Sequence, residues 1–342
     1  MQLTSFKEGF FMKKASRLTA FILIIILVTL PCLSSCRLVK TDKLEINISV
    51  LSGTTGFGAA KLMSDAAESK SDLNYKFTVE SDPSNITAGL INGTIDIAAL
   101  PTNAAANLYN KTNGAIKIAA VNTLGVLYLM TGEGVEITDI ADLEGKTVYC
   151  PAQNPAFIFE AICRANGLMP GDNVTIDTGY AQPADLRAAL VTGAVEIAVL
   201  PEPMVTIAKS ANASLTTALD LTNEWEKAYG EGTLMQGCIV VRTEWAEAHV
   251  KDLEEFLDDY EDSIKFTVAE PQKAAACIVD TGVFAGKEAV AEKAIPSCNI
   301  VYIAGDEMAL SLTIFFEKLY AVNPAAVGGK LPDANIYYID ND

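Results

Sequence analysis

The sequence has a single histidine, His249, in 342 residues. That leaves a zinc or iron site without its usual ligands, since no CxxC pair compensates. It also leaves a hydrolase without a base, because Ser52 has no His or Lys near it in sequence. Basic residues are scarce, at 25 against 43 acidic ones, giving a net charge of −18. Nucleic acid is excluded as a partner, because binding it requires neutralising phosphates with basic patches; the excess acid serves solubility. Beyond the leader, the cysteines are Cys150, Cys163, Cys238, Cys277 and Cys298, an odd number. Cys150 and Cys238 lie in apolar runs and read as buried thiols. An extracytoplasmic setting would permit one disulfide, but its pairing is not fixed by sequence.

What is present begins with an apolar run at 18–33 preceded by Lys13, Lys14 and Arg17. A basic segment followed by a short apolar one reads as a secretory signal, the alternative being an uncleaved membrane anchor. It ends in Leu33-Ser-Ser-Cys36, which looks like a bacterial lipobox. Cys36 would then be diacylated and become the mature N-terminus, tethering a soluble body to a membrane surface. Residues before Met12 read as an extension upstream of a more usual start. The segment before Cys36 carries a net +3, so the mature chain is about −21.

The main organising feature is a pattern that occurs twice, LINGTIDIAALP at 90–101 and LVTGAVEIAVLP at 190–201. The offset is constant, pairing Gly93 with Gly193 and Pro101 with Pro201. In each copy a helix ends at the glycine, an apolar strand buried on both faces follows, and the proline stops it. Two such units predict two α/β lobes. Ligands of open α/β sheets bind beyond the carboxyl ends of strands, which points to residues just after Leu100 and Leu200.

In order, strands are expected at 44–51, 75–80, 97–100, 116–122, 147–150, 173–177 and 197–200, with apolar crossings at 125–130 and 234–241. Helices are expected at 59–70, 84–92, 101–109, 156–166, 184–191, 243–248, 250–268, 271–279 and 306–320. The Gly- and Thr-rich stretch 52–58 reads as a loop at a strand-to-helix junction, where backbone N–H groups favour anions and polar acceptors. It is neither a Walker motif nor a dinucleotide fingerprint.

The stretch Asp142-Leu-Glu-Gly-Lys146, the strand ending at Leu200 and Glu202-Pro203 resemble the substrate-binding proteins of bacterial ABC importers. The similar branch includes taurine-, aliphatic-sulfonate-, nitrate- and thiamine-precursor-binding proteins, and the likeness is clearest over 44–208. The resemblance implies an α/β, two-lobed periplasmic-binding type II fold with two crossing strands and C-terminal helices. It implies lobe 1 at 44–124 and 234–342, lobe 2 at 135–233, and a hinge at 125–134 and 232–237, after a signal at 1–36 and a tether at 37–43. It also implies a monomer, a small-molecule ligand closed between the lobes, a permease with its ATPase as partners, and no cofactor, metal or catalytic residue. The ligand-facing loops map onto Ser52, Gly53, Thr54, Thr55 and Gly56; Pro101, Thr102 and Asn103; Asn122 and Thr123; Gln153 and Asn154; Tyr180 and Gln182; and Pro201 and Glu202.

These loops depart from anion binders in lacking Arg and Lys. Glu202 suits a ligand amine or ring N–H, or else is a first-turn acid complementing a helix dipole. Tyr180 offers a stacking platform or a lip without contact; Thr102 and Asn103 suit a helix cap. Enzymes on the same fold, which resemble pyrimidine synthases or menaquinone-pathway proteins, are the alternative; the first of these need a His-rich site. A ligand-sensing lipoprotein without transport is another.

Overall fold

The computed structural model describes residues 44–339. The expected signal segment, the lipidation site Cys36 and the tether at 37–43 lie outside them. Among the described residues, no helix is long and apolar enough to cross a membrane.

The chain opens with β1 (Glu45–Leu51), α1 (Thr54–Phe57), α2 (Ala60–Ala67), β2 (Asn74–Glu80), α3 (Pro83–Asn92), β3 (Ile97–Pro101), α4 (Thr102–Thr112) and β4 (Ile116–Thr123). It then runs through β5 (Leu127–Thr131), β6 (Thr147–Tyr149), α5 (Asn154–Ala165), β7 (Thr175–Asp177), α6 (Pro183–Val191), β8 (Ile197–Pro201), α7 (Met204–Ala211), β9 (Thr216–Asp220) and α8 (Leu221–Tyr229). It returns through β10 (Gly237–Arg242), α9 (Thr243–Ala248), α10 (Val250–Ala269), α11 (Pro271–Asp280), α12 (Glu288–Ala294), β11 (Ile300–Ile303) and α13 (Gly305–Val322). Two sheets result, ordered β11-β4-β10-β3-β1-β2 and β7-β6-β8-β5-β9.

The repeated pattern becomes β3 and β8, whose bounds are offset by the same hundred residues. Gly93 and Gly193 both take the left-handed conformation, with φ of +78° and +77°, which a side chain would strain. Each strand is buried on both faces. In β3, Ala98 and Leu100 face a core shared by both halves, and Ile97 and Ala99 face the core under α2, α10 and α11. In β8, Ile197 and Val199 face the shared core, and Ala198 and Leu200 face α6 and α7.

The crossings are shorter than the apolar runs suggested. Both runs are mostly strand within a single sheet: β5 pairs only with β8 and β9, and β10 only with β3 and β4. What passes between sheets is residues 124–126 and 230–236. The first is tight at Gly125, where an added Cβ would lie 2.2 Å from Thr222 Oγ1. The loop expected at 52–58 is largely helical from Thr54. Gly56 is buried there because a Cβ would meet the Leu51 carbonyl oxygen at 2.4 Å, so it serves close packing.

Five elements have no counterpart in the sequence reading: β9, α7, α8, α12 and β11. Both strands are short and only partly buried: β9 has polar residues at both ends, and the apolar Ile300-Val-Tyr-Ile303 of β11 is only four residues long. α8 holds the fully buried Trp225, which packs on Tyr229 at 4.7 Å and on Phe315 at 5.5 Å between centroids. Phe315 belongs to α13, which follows β11 of the first sheet yet packs on α5 and α8 of the second half and on β4 of the first. All five described cysteines are free.

Candidate functional site

The strands β1 to β4 run parallel, as do β6 to β9; β5, β10 and β11 run against them. The crossings join the carboxyl end of β4 to the start of β5, and the helix after β9 to the start of β10. The carboxyl ends of both parallel sets therefore converge on the crossings, and every residue expected to face a ligand sits at such an end.

On the first sheet, much of the polar capacity is spent internally. Thr102, wholly buried, donates its hydroxyl to the Met235 carbonyl at 2.6 Å. Asn122 donates through Nδ2 to the Thr55 carbonyl at 3.0 Å and the Tyr260 hydroxyl at 2.9 Å, while its Oδ1 accepts from the Thr123 hydroxyl at 3.0 Å. These bonds tie α1 and α10 to β4, and the return crossing to the start of α4. Asn103 lies buried in the first turn of α4, which starts without a side-chain cap, contrary to the capping role its sequence suggests. Ser52 is exposed, and Gly53, Thr54, Thr55 and Pro101 are half-buried. The backbone N–H of Ser52 is tied to Glu80 and that of Gly53 to Val283.

On the second sheet, α5 and α6 also begin without a side-chain cap; each has a proline in its first turn, and the Asp185 N–H of α6 is bonded to the Gln182 carbonyl at 3.1 Å. Gln153 holds φ of +66°, a strained conformation for a residue with a Cβ. Asn154 beside it is buried, and its Oδ1 has no hydrogen-bond partner. Tyr180 is half-buried and meets Tyr149 in an edge-to-face arrangement at 6.0 Å between centroids. Gln182 is exposed at the start of α6.

Glu202 lies at the exit of β8. It is 5% exposed, follows Pro201, and precedes a cis bond to Pro203. Its carboxylate accepts from the Thr206 backbone N at 3.1 Å and the Thr206 hydroxyl at 3.0 Å, the arrangement of an acid at a helix N-terminus. Burial raises its pKa, opposed by the Thr206 bonds and by Lys209. It lines a 460 Å³ cavity between α7 and the end of α12, with Tyr128, Lys209, Lys293 and Ser297. Tyr128 donates to the Ser297 carbonyl at 2.9 Å, a bond between the two halves.

His249 stands at the junction of α9 and α10, stacked on Trp245 and 3.3 Å from Asp252, away from all of these strand ends. Among the described residues, no cluster of His, Cys, Asp and Glu could hold a metal. Sequence reasoning did not single out Gln236, which ends the return crossing and is 9% exposed. A polar residue one place before the glycine that opens an apolar strand was the available signal.

Two α/β halves joined by two short crossings, with carboxyl strand ends converging between them, define a periplasmic-binding architecture of type II. Residues 69–274 match the NMT1/THI5-like family, and the chain belongs to that family. No curated protein matches the chain. Among solved structures, it is similar to an ABC transporter from Parabacteroides distasonis, with 26% identity, a TM-score of 0.72, and coverage of 87% of this chain and 99% of that one. The periplasmic aliphatic sulphonate-binding protein of Escherichia coli shares 15% identity at a TM-score of 0.69, over 85% of this chain and 95% of that one. The alkanesulfonate-binding protein of Xanthomonas axonopodis, bound to MOPS, shares 13% at 0.62, over 86% and 98%. At these identities, the last two show the fold alone.

Proposed function

We propose that the protein is an extracytoplasmic solute-binding lipoprotein of an ABC importer, not an enzyme. Cys36 anchors it to the outer face of the cell membrane. The monomer closes its halves on a small polar molecule and presents it to a permease driven by an ATPase. Closure is a hinge motion about the two crossings, in which the solute binds the closed arrangement better and shifts the population toward it.

The observation that carries this reading is the convergence of polar loops from both sheets. Thr54, Thr55 and Asn103 approach from one side, and Gln153, Asn154, Tyr180 and Gln182 from the other, with the uncapped starts of α4, α5 and α6 among them. No Arg or Lys belongs to these loops, so recognition rests on hydroxyls, carboxamides, a ring face and backbone N–H groups. Two of the structural relatives are sulphonate-binding proteins, which makes sulphonates one class to test.

The test is a thermal-shift panel on the chain from Leu38 onward. It contains methanesulfonate, taurine, nitrate, thiamine and its aminopyrimidine precursor, riboflavin, adenine and glutamine. Saturable stabilisation by one chemical class is expected, because a ligand that binds only the folded state raises the melting temperature by mass action. A folded sample that responds to none of them overturns the reading.

A further inference from the structure

The return crossing places one side chain against both halves of the molecule. The Gln236 backbone N–H donates to the Thr123 carbonyl at 3.0 Å, and its carbonyl accepts from the Thr102 N–H at 3.1 Å. Its side-chain Oε1 accepts from the Val126 N–H at 2.7 Å. The Val126 carbonyl in turn accepts from the Glu202 N–H at 3.0 Å. One residue thus touches the exit of β4, the start of α4 and the first crossing, and through Val126 it reaches the exit of β8.

The orientation of this carboxamide follows from chemistry. A backbone N–H can only donate, so the atom facing Val126 is oxygen and the other is the NH₂ group. That Nε2 carries two donors and has no hydrogen-bond partner among the described residues. It is not among the atoms sealed from solvent. Side chains this deeply buried ordinarily fill their hydrogen-bonding capacity, as Asn122 nearby does at both ends of its amide. The oxygen serves as a pin on the first crossing, and the nitrogen is left with its donors facing solvent-accessible space.

We propose that Gln236 is a solute-reading residue, whose Nε2 donates to an acceptor atom of the bound molecule at the hinge end of the cleft. This rests on the solute-binding function above and narrows its substrate class. The solute presents a carbonyl, a ring nitrogen or an oxyanion oxygen at that point; an ammonium group, which only donates, is refused there. The same amide holds the first crossing through Oε1, so contact with the solute is delivered to the segment about which the halves turn.

The experiment repeats the named panel, with affinities by calorimetry, on wild type, Gln236→Glu and Gln236→Met. Gln236→Glu keeps an oxygen for Val126 and loses the donors. Gln236→Met removes both functions at similar length without adding charge, and its unliganded melting transition reports whether it folds. Whichever panel compound stabilises wild type should lose about tenfold or more in affinity in both variants, the scale of one buried hydrogen bond. A structural role alone predicts wild-type affinity in Gln236→Met, with only a lowered unliganded melting temperature, and, for an uncharged compound, wild-type affinity in Gln236→Glu as well; that result overturns the proposal. Failure of the solute-binding reading would appear separately, as a wild-type chain that answers to no panel member.

Discussion

Among single residues, Glu202 shows how a sequence signal and its chemistry part company. An acid after a β8-type strand is visible in the sequence, but whether it meets a ligand or its own helix depends on a rotamer. In the structure both carboxylate oxygens serve Thr206. The burial that raises its pKa has a consequence for stability. The folded chain holds this proton more tightly than the unfolded chain. Between the ordinary carboxyl range and the raised value it therefore binds more protons, and stability falls as pH rises through that window. The groups facing it are Thr206 and Lys209 from α7, Tyr128 from β5 and Cys298 before β11. Denaturation midpoints measured against pH should decline across the window in wild type and flatten in Glu202→Gln; equal slopes would place the dependence on other groups.

Secondary-structure elements were legible where an apolar period was long and punctuated. The strands β3 and β8 could be read because glycine and proline bracket a run buried on both faces. The long helices α10 and α13 could be read from their amphipathic spacing. Helix α1 could not, because its glycines mimic a loop, and the reason for Gly56 is a carbonyl belonging to β1. Helix α8 was missed although it contributes Trp225, a large core side chain. Its nine residues are bounded by an Asp cap and a glycine, but the apolar stripe is short. Trp225→Ala should cost about 3–5 kcal/mol, the usual toll of emptying such a site. It should appear as a lower denaturant midpoint; a change under 1 kcal/mol, about the size of a surface substitution, would mean the ring is not the centre of this core.

Seen whole, the two-lobed plan followed from the hundred-residue repeat, and the family likeness agreed with it. The site was legible only as a set of loops. Which polar atoms remain unspent is decided by contacts between distant segments, such as Asn122 with Tyr260 or Thr102 with Met235, and these leave no trace in local sequence. Thiol chemistry offers a check on the assembled molecule. Cys150, Cys163, Cys238 and Cys298 are buried and Cys277 is half-buried, all of them free. Burial also raises the pKa of all four buried thiols. Of these five, one should react with a thiol reagent in the native state and all five after denaturation. Prompt reaction of several in the native chain would contradict this packing.

Helix α13 leaves the first half after β11, yet lays Phe315 against Trp225 of the second. The halves are therefore held by a brace in addition to the two crossings. A door on two short straps could swing in any direction; the brace removes most of those directions. Wide opening must slide α13 across α5 and α8 or peel it from β4, so a solute-driven closure of the kind proposed would be confined to rotations that keep this helix seated.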